Sequence, residues 1–405
     1  MTNFFLHVFL IYMLAASSCN ISDKKDIEYT NGSFGYDLQF LQKYDSVILL
    51  KSGDDNAQII VSPKYQAKVF TSTAEGATGL SFGWVNYKAF TANVDAHMNA
   101  YGGENRLWLG PEGGRFSLFF KPAARMDFNN WKTPTVFDTE TWSVVSNNDS
   151  SVNMSKDMEF VNYQGTELSV TVNRNIRILG RQEIIKTMGL SIDDSVKAVG
   201  YETENILTNK GSREWTTETG MPCIWILDMF RPSDQTTIVI PYNGDSLSKP
   251  ATTDYFGEIP VNRIKYADSV LFFKADGMNR GKLGIHPVRA KGMAGSYDAN
   301  KKILTITLFD IDNSGKYLNQ EWNTTKPPFS GDAVNAYNDG PLASGGQLGP
   351  FYELESVSPA AFLKPGDSLT HHHSVFHFTG NETGLNIIAE KVLSVSLEQI
   401  KNALP

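Results

Sequence analysis

Hydrophobic and polar positions alternate with a period of two through most of the chain, and this alternation predicts strands. In residues 302–311, Ile303, Thr305, Thr307 and Phe309 interleave with Leu304, Ile306 and Leu308, which predicts a strand buried on both faces. Similar runs at 57–61, 115–121, 167–172, 236–242 and 269–274 are bounded by Gly, Pro, Asn or Asp turn residues. Helical periodicity is scarce, with short stretches only at 396–404 and 193–199. Many strands, frequent turn signals and few helices predict an all-β fold, a large sandwich or barrel, and exclude alternating βαβ units. No linker-like stretch divides residues 33–405, so a single domain is expected there.

The N-terminus breaks the pattern. Residues 1–18 contain no Lys, Arg, Asp or Glu, and a nearly continuous apolar run from Phe4 ends in Ala15, Ala16, Ser17 and Ser18, directly before Cys19. This is the layout of an export signal, too short to remain in a bilayer. It predicts a bacterial lipoprotein whose Cys19 carries lipid and whose residues 19–32 form a flexible tether, in the periplasm or outer membrane of a Gram-negative bacterium. Cys223 is the only other cysteine, so no disulfide framework exists and a core drawn from 41% hydrophobic residues must hold the fold. Cys223 itself lies in an apolar run and is expected to be an inert buried thiol. A formal charge of −8 without clustered Lys and Arg argues against a nucleic-acid partner. A membrane is expected to be met only through the lipid anchor, and the oligomeric state is left open.

The least random feature is the segment from Thr370 to Phe378, which holds four of the seven histidines. Read as a strand, it places His371, His373 and His377 on one face and His372, Phe376 and Phe378 on the other. Three imidazoles on one face serve acid–base chemistry, a divalent metal, or merely a polar sheet edge. No cofactor is required, and the metal is the lesser of the chemical readings. Upstream, Glu353 and Glu355 sit two residues apart in a strand-like run and share a face, where joint ionisation is opposed. In residues 105–115, Gly110, Gly113 and Gly114 surround Glu112 ahead of Arg115; without Gly-Lys-Ser/Thr and a following helix this is not a phosphate loop. Trp108 offers a stacking surface, and Asn335 and Asn338 offer amides for polyol hydroxyls or for ordinary turns. His97 and His286 are lone histidines, read as structural.

The C-terminal third resembles the galactose mutarotase (aldose 1-epimerase) superfamily. The match runs through Leu354-Glu355, then Ala360-Ala361-Phe362-Leu363-Lys364-Pro365-Gly366-Asp367, then 375–378. Over most of its length the chain is similar to an uncharacterised group of exported proteins from polysaccharide-degrading bacteria, through Trp108-Leu109-Gly110-Pro111-Glu112-Gly113-Gly114 and Gly349-Pro350-Phe351-Tyr352-Glu353-Leu354-Glu355-Ser356. The resemblance implies a supersandwich of large antiparallel sheets whose concave face binds carbohydrate, with Glu355 at the general-base position. The mutarotase segment Asn-His-x-Tyr-Phe-Asn has no equivalent here, so the acid is not carried over.

These readings converge on a carbohydrate-active enzyme acting on an oligosaccharide by proton abstraction and donation at a sugar ring, foremost β-elimination from a uronate-bearing sugar. Catalysis is expected from Glu355, His371, His373 and His377, and substrate contact from Trp108, Glu112, Arg115, Asn335, Asn338 and Glu353. Aldose mutarotation and non-catalytic glycan binding are the alternatives.

Overall fold

The computed structural model describes residues 28–53, 56–244, 249–342 and 345–405. The export segment, Cys19 and the tether up to residue 27 lie outside the described residues. Strands pair antiparallel into a ten-stranded, a five-stranded and a three-stranded sheet. The five-stranded sheet runs in the order Gly281–Ile285, Val334–Asn338, Tyr352–Val357, Cys223–Phe230 and Arg106–Gly110. Near the middle of the ten-stranded sheet, the histidine strand Ser368–Thr379 lies between Ile303–Phe309 and Lys197–Asn209.

Burial along each strand reports its layer. Glu167–Ile178 alternates buried and half-exposed residues because it covers the core on one side only. Every residue of the five-stranded sheet is buried, since one face meets the ten-stranded sheet and the other is roofed by aromatic loops. The far face of the ten-stranded sheet carries Leu304, Ile306, Phe376 and Phe378 under three helices, Arg181–Met188, Glu382–Leu393 and Leu397–Lys401. The molecule is thus helices, large sheet, small sheet and aromatic roof, in that order.

Most sequence-predicted strands are present, including Gln58–Ser62, Glu167–Ile178, Thr236–Pro241, Val270–Lys274 and Ile303–Phe309. Residues 115–121 are not a strand. Ser117 N bonds Gly114 O at 3.2 Å and Leu118 N bonds Pro111 O at 3.0 Å, folding the segment into tight turns that still bury Phe116, Leu118, Phe119 and Phe120. Apolar spacing here reflects burial without pairing. The predicted helix at 396–404 is Leu397–Lys401, started by a capping box between Ser396 and Gln399. Residues 193–199 instead turn into the Lys197–Asn209 strand, and the helices Arg181–Met188 and Glu382–Leu393 were not expected. Cys223 is buried, and burial pushes its thiol up to about 12, the inert state.

Candidate functional site

The outer face of the five-stranded sheet is the floor of a cleft. Because side chains two apart share a face, Arg106 and Trp108, then Trp225, Leu227 and Met229, then Glu353 and Glu355 project to the same side. Register brings Tyr337 opposite Glu353 and Lys282 opposite Tyr337. Loops supply the walls, with His97, Phe128, Trp131, Phe256 and Trp322, and Trp131 is stacked on Trp322. Two adjoining chambers share Arg280, Phe256 and Trp322; the larger has a volume of about 620 Å³ and the smaller, over the sheet floor, about 160 Å³.

The floor holds paired charges. Arg106 Nη2 donates to Glu353 Oε1 at 2.9 Å, and Lys282 Nζ donates to Glu355 Oε2 at 2.9 Å. Trp225 Nε1 donates to the same Glu355 oxygen at 2.8 Å. Burial pushes the Glu353 carboxyl up to about 8; Arg106 opposes the rise and the Glu355 charge adds to it. For Lys282, burial works against the ammonium but the carboxylates of Glu355 and Glu112 outweigh it, so its pKa is raised. Glu112 is also raised, by burial, against Lys282 and a hydrogen bond from Trp322. A buried carboxyl poised near neutrality beside a salt-bridged one is the arrangement that separates acid from base.

Unsatisfied groups gather at this floor. Arg106 Nε, Trp108 Nε1, Trp131 Nε1, Arg280 Nε and Glu355 Oε1 are buried without a hydrogen-bond partner. Native interiors pair nearly all such atoms, and a group of orphans at one cleft marks where a ligand's polar atoms belong. His97 also lines the cleft. Its Nδ1 donates to the Trp131 carbonyl at 2.6 Å, which leaves Nε2 as the acceptor nitrogen of the neutral ring. The ring is stacked on Phe128 with centroids 4.6 Å apart.

The structure separates the histidines from the carboxylates. His371, His373 and His377 share a face as expected, but that face points between the two sheets, and all three are at most 1% exposed. On Tyr352–Val357 the same alternation that sends Glu353 and Glu355 to the cleft sends Ser356 inward to meet them. Ser356 Oγ lies 2.8 Å from His371 Nε2 and 2.8 Å from His373 Nδ1, and His373 Nε2 lies 2.7 Å from Asp228 Oδ2. One proton arrangement satisfies the chain: His371 donates to Ser356, Ser356 to His373, and His373 to Asp228. Asp228 Oδ1 accepts from Asn105 at 2.6 Å, and Asn105 accepts from the buried Arg174. Burial, with His373 close by, lowers His371 to about 3, so it is a neutral ring. His377 lies between Glu104, at 2.9 Å, and Thr305, at 2.8 Å. Although Ser356, His373 and Asp228 have the contacts of a hydrolytic triad, all three are 0% exposed and no substrate reaches them. Nor do three or more His, Cys, Asp or Glu side chains converge as metal ligands among the described residues.

The other expected contacts divide similarly. Trp108, Glu112 and Glu353 line the cleft, and Glu355 lies just beneath its surface. Asn335 is cross-strand from Glu355 but is spent on Leu283 O at 3.3 Å and Tyr255 Oη at 3.4 Å. Asn338 faces away and holds a turn, accepting from Gly277 N and donating to Asn279 O, each at 2.9 Å. Arg115 is exposed and bonds Gln164 at 3.1 Å, outside the cleft. Sequence reading missed His97, Arg106, Trp225, Arg280 and Lys282. Arg106 alone carried a signal, being two residues before Trp108 on one strand; the rest come together only through sheet pairing and loop packing.

The architecture recurs in solved structures. The Slr1438 protein of Synechocystis matches at 12% identity with a TM-score of 0.51, over 83% of this chain and 96% of that one. A putative aldose 1-epimerase of Escherichia coli matches at 14% identity and 0.49, over 82% and 98%. A galactose mutarotase-like protein of Lactobacillus casei matches at 11% and 0.45, over 82% and 100%. At 12% identity the likeness to the Slr1438 protein is one of fold alone, a large antiparallel β-sandwich. No curated protein matches the chain by sequence. A family model described as a family of unknown function, DUF6786, matches residues 32–404, and the chain belongs to that family.

Proposed function

We propose that the protein is a carbohydrate-active enzyme that moves protons at a sugar ring held in the cleft, with Glu353 as the titrating group. The observation that carries this reading is the Glu353 carboxyl itself: in the cleft wall, raised to about 8, with Oε1 fixed by Arg106 and Glu355–Lys282 at its side. A proton donor and acceptor is most effective when its pKa lies near the working pH. Trp322, half-buried and lining both chambers, gives an apolar face on which a pyranose ring can stack.

The reaction favoured is β-elimination from a uronate-bearing sugar. A base takes the proton α to the carboxylate, the C–H electrons form the alkene, and the C–O bond breaks as its oxygen receives a proton. His97 Nε2 and Glu353 are the candidates for base and acid in this scheme, and Arg106 and Lys282 offset charge developing on the enolate. The mutarotation reading draws on Glu355, which stands at the mutarotase base position with Oε1 free of partners. Incubation of the purified protein with uronate oligosaccharides, followed by conjugated-alkene absorbance and by polarimetry on reducing sugars, separates the two. Alkene without accelerated mutarotation supports elimination; the opposite result overturns it, and binding without either product leaves a glycan-holding protein. The apolar segment before Cys19 supports placing this activity on a lipid anchor in the bacterial envelope.

A further inference from the structure

Three cations border the cleft, and two of them have a carboxyl partner. Arg106 is engaged by Glu353 and Lys282 by Glu355, each at 2.9 Å. Arg280 forms no ion pair and no hydrogen bond among the described residues; its charge acts on Glu112 only at longer range, and its Nε is a buried orphan. Its guanidinium carbon lies 3.8 Å from the centroid of the Phe256 ring, which orients the fork without using any of its N–H groups.

The backbone behind Arg280 is firmly held. Asn338 ties the preceding turn at Gly277 and Asn279, and Arg263 clamps Asp276 in the same turn through two N–H groups. The backbone of Asn279 and Arg280 runs so close to Gly340 that a side chain there would meet Arg280 N at 2.5 Å. A preorganised, planar, fivefold donor with no internal acceptor is built to receive an anion. The orphans nearby lean the same way: Arg106, Trp108, Trp131 and Arg280 each contribute an unmet donor, against one unmet acceptor on Glu355. Such a cleft suits a ligand with more acceptors than donors.

We infer that Arg280 is an anion subsite that anchors a carboxylate or sulfate group of an acidic oligosaccharide, at the junction of the two chambers. The inference rests on the reading of the cleft as a sugar site and specifies the charge of the sugar. Its position at the shared wall lets a chain of more than one sugar unit place its charged group at Arg280 while a ring lies over Glu353.

Calorimetric titration tests it with three probes: a uronate oligosaccharide, the same oligosaccharide with its carboxyls reduced to alcohols, and a sulfated oligosaccharide of neutral sugars. Glu353→Gln protein is used if the wild type turns the probe over. An acidic probe is expected to bind about tenfold or more tighter than the reduced one, the scale of a charge-assisted hydrogen-bonded pair. Arg280→Gln should bring that ratio to about one while affinity for the reduced probe stays put, and Arg280→Lys should give an intermediate ratio. Thermal unfolding of both variants, expected to match wild type, reads out any folding defect. Which acidic probe shows the preference decides between carboxylate and sulfate. Equal binding of acidic and reduced probes by wild type, or a preference that survives Arg280→Gln, overturns the subsite. Preference without any product would instead overturn the enzymatic reading and leave the subsite standing.

Discussion

Replacing Glu353 with Gln isolates a single proton in the stability of the whole molecule. In the unfolded chain this carboxyl ionises near 4.5, whereas burial and the adjacent Glu355 hold it protonated to about 8 in the native state. Between those values the folded protein retains a proton that the unfolded chain has released, so stability falls as pH rises. The contribution is complete below the unfolded value and is lost as pH climbs through the folded one. Each pH unit in the interval corresponds to about 1.4 kcal/mol, and the full interval to at most about 5 kcal/mol. Gln keeps the shape and cannot ionise, so the variant lacks this loss. Urea unfolding followed by tryptophan fluorescence, repeated from about pH 5 to about pH 9, should show the variant gaining steadily on wild type up to roughly pH 8 and running parallel above it. Carboxyls remote from Glu353 titrate alike in both proteins and cancel in the difference, whereas Glu355, whose charge acts on Glu353, leaves a remainder. Parallel curves across the whole range would refute the argument, because Glu353 would then ionise in the native cleft as it does in water.

Four further outcomes follow from the geometry. Ser356→Ala strips one hydroxyl from both His371 and His373 and should lower stability by roughly 1–3 kcal/mol for each buried group left unpaired; unchanged urea midpoints would count against the proton chain described. Once a substrate is found, His97→Phe should keep the stack on Phe128 yet reduce turnover by about 10²–10⁴-fold, and an undiminished rate would remove His97 from the chemistry. Trp322→Ala, at the wall between the chambers, should weaken oligosaccharide binding by roughly three- to tenfold with little change in kcat. Chelation should leave both melting temperature and activity unaltered, and recovery of lost activity by an added divalent ion would overturn that expectation.

The fold was legible because period-two patterning survives wherever a strand is buried on one or both sides, as in Ile303–Phe309. It failed at 115–121, where turns bury the same apolar residues without a partner strand, and at Glu382–Leu393, which mixes its apolar face with Gly384 and Asn386. The candidate site was legible in part. Spacing correctly put Glu353 with Glu355 and His371 with His373 and His377, since each set lies on one strand. Whether two strands present their faces to the same space depends on layer order, which alternation does not encode. Arg280, Lys282 and His97 lay beyond reach for a related reason: each is single in its segment and becomes part of a site only when three distant stretches are folded over one sheet.

The Ser356 contacts also bear on which way the carboxylates point. A slip of one position in the pairing of Tyr352–Val357 would rotate Glu353 and Glu355 into the space between the sheets and turn Leu354 and Ser356 toward the cleft. The misregistered strand would take Glu353 from Arg106 and Glu355 from Lys282 and forfeit both hydroxyl contacts. His371 and His373 therefore favour, from beneath the sheet, the alignment of the strand that delivers both acids to the cleft.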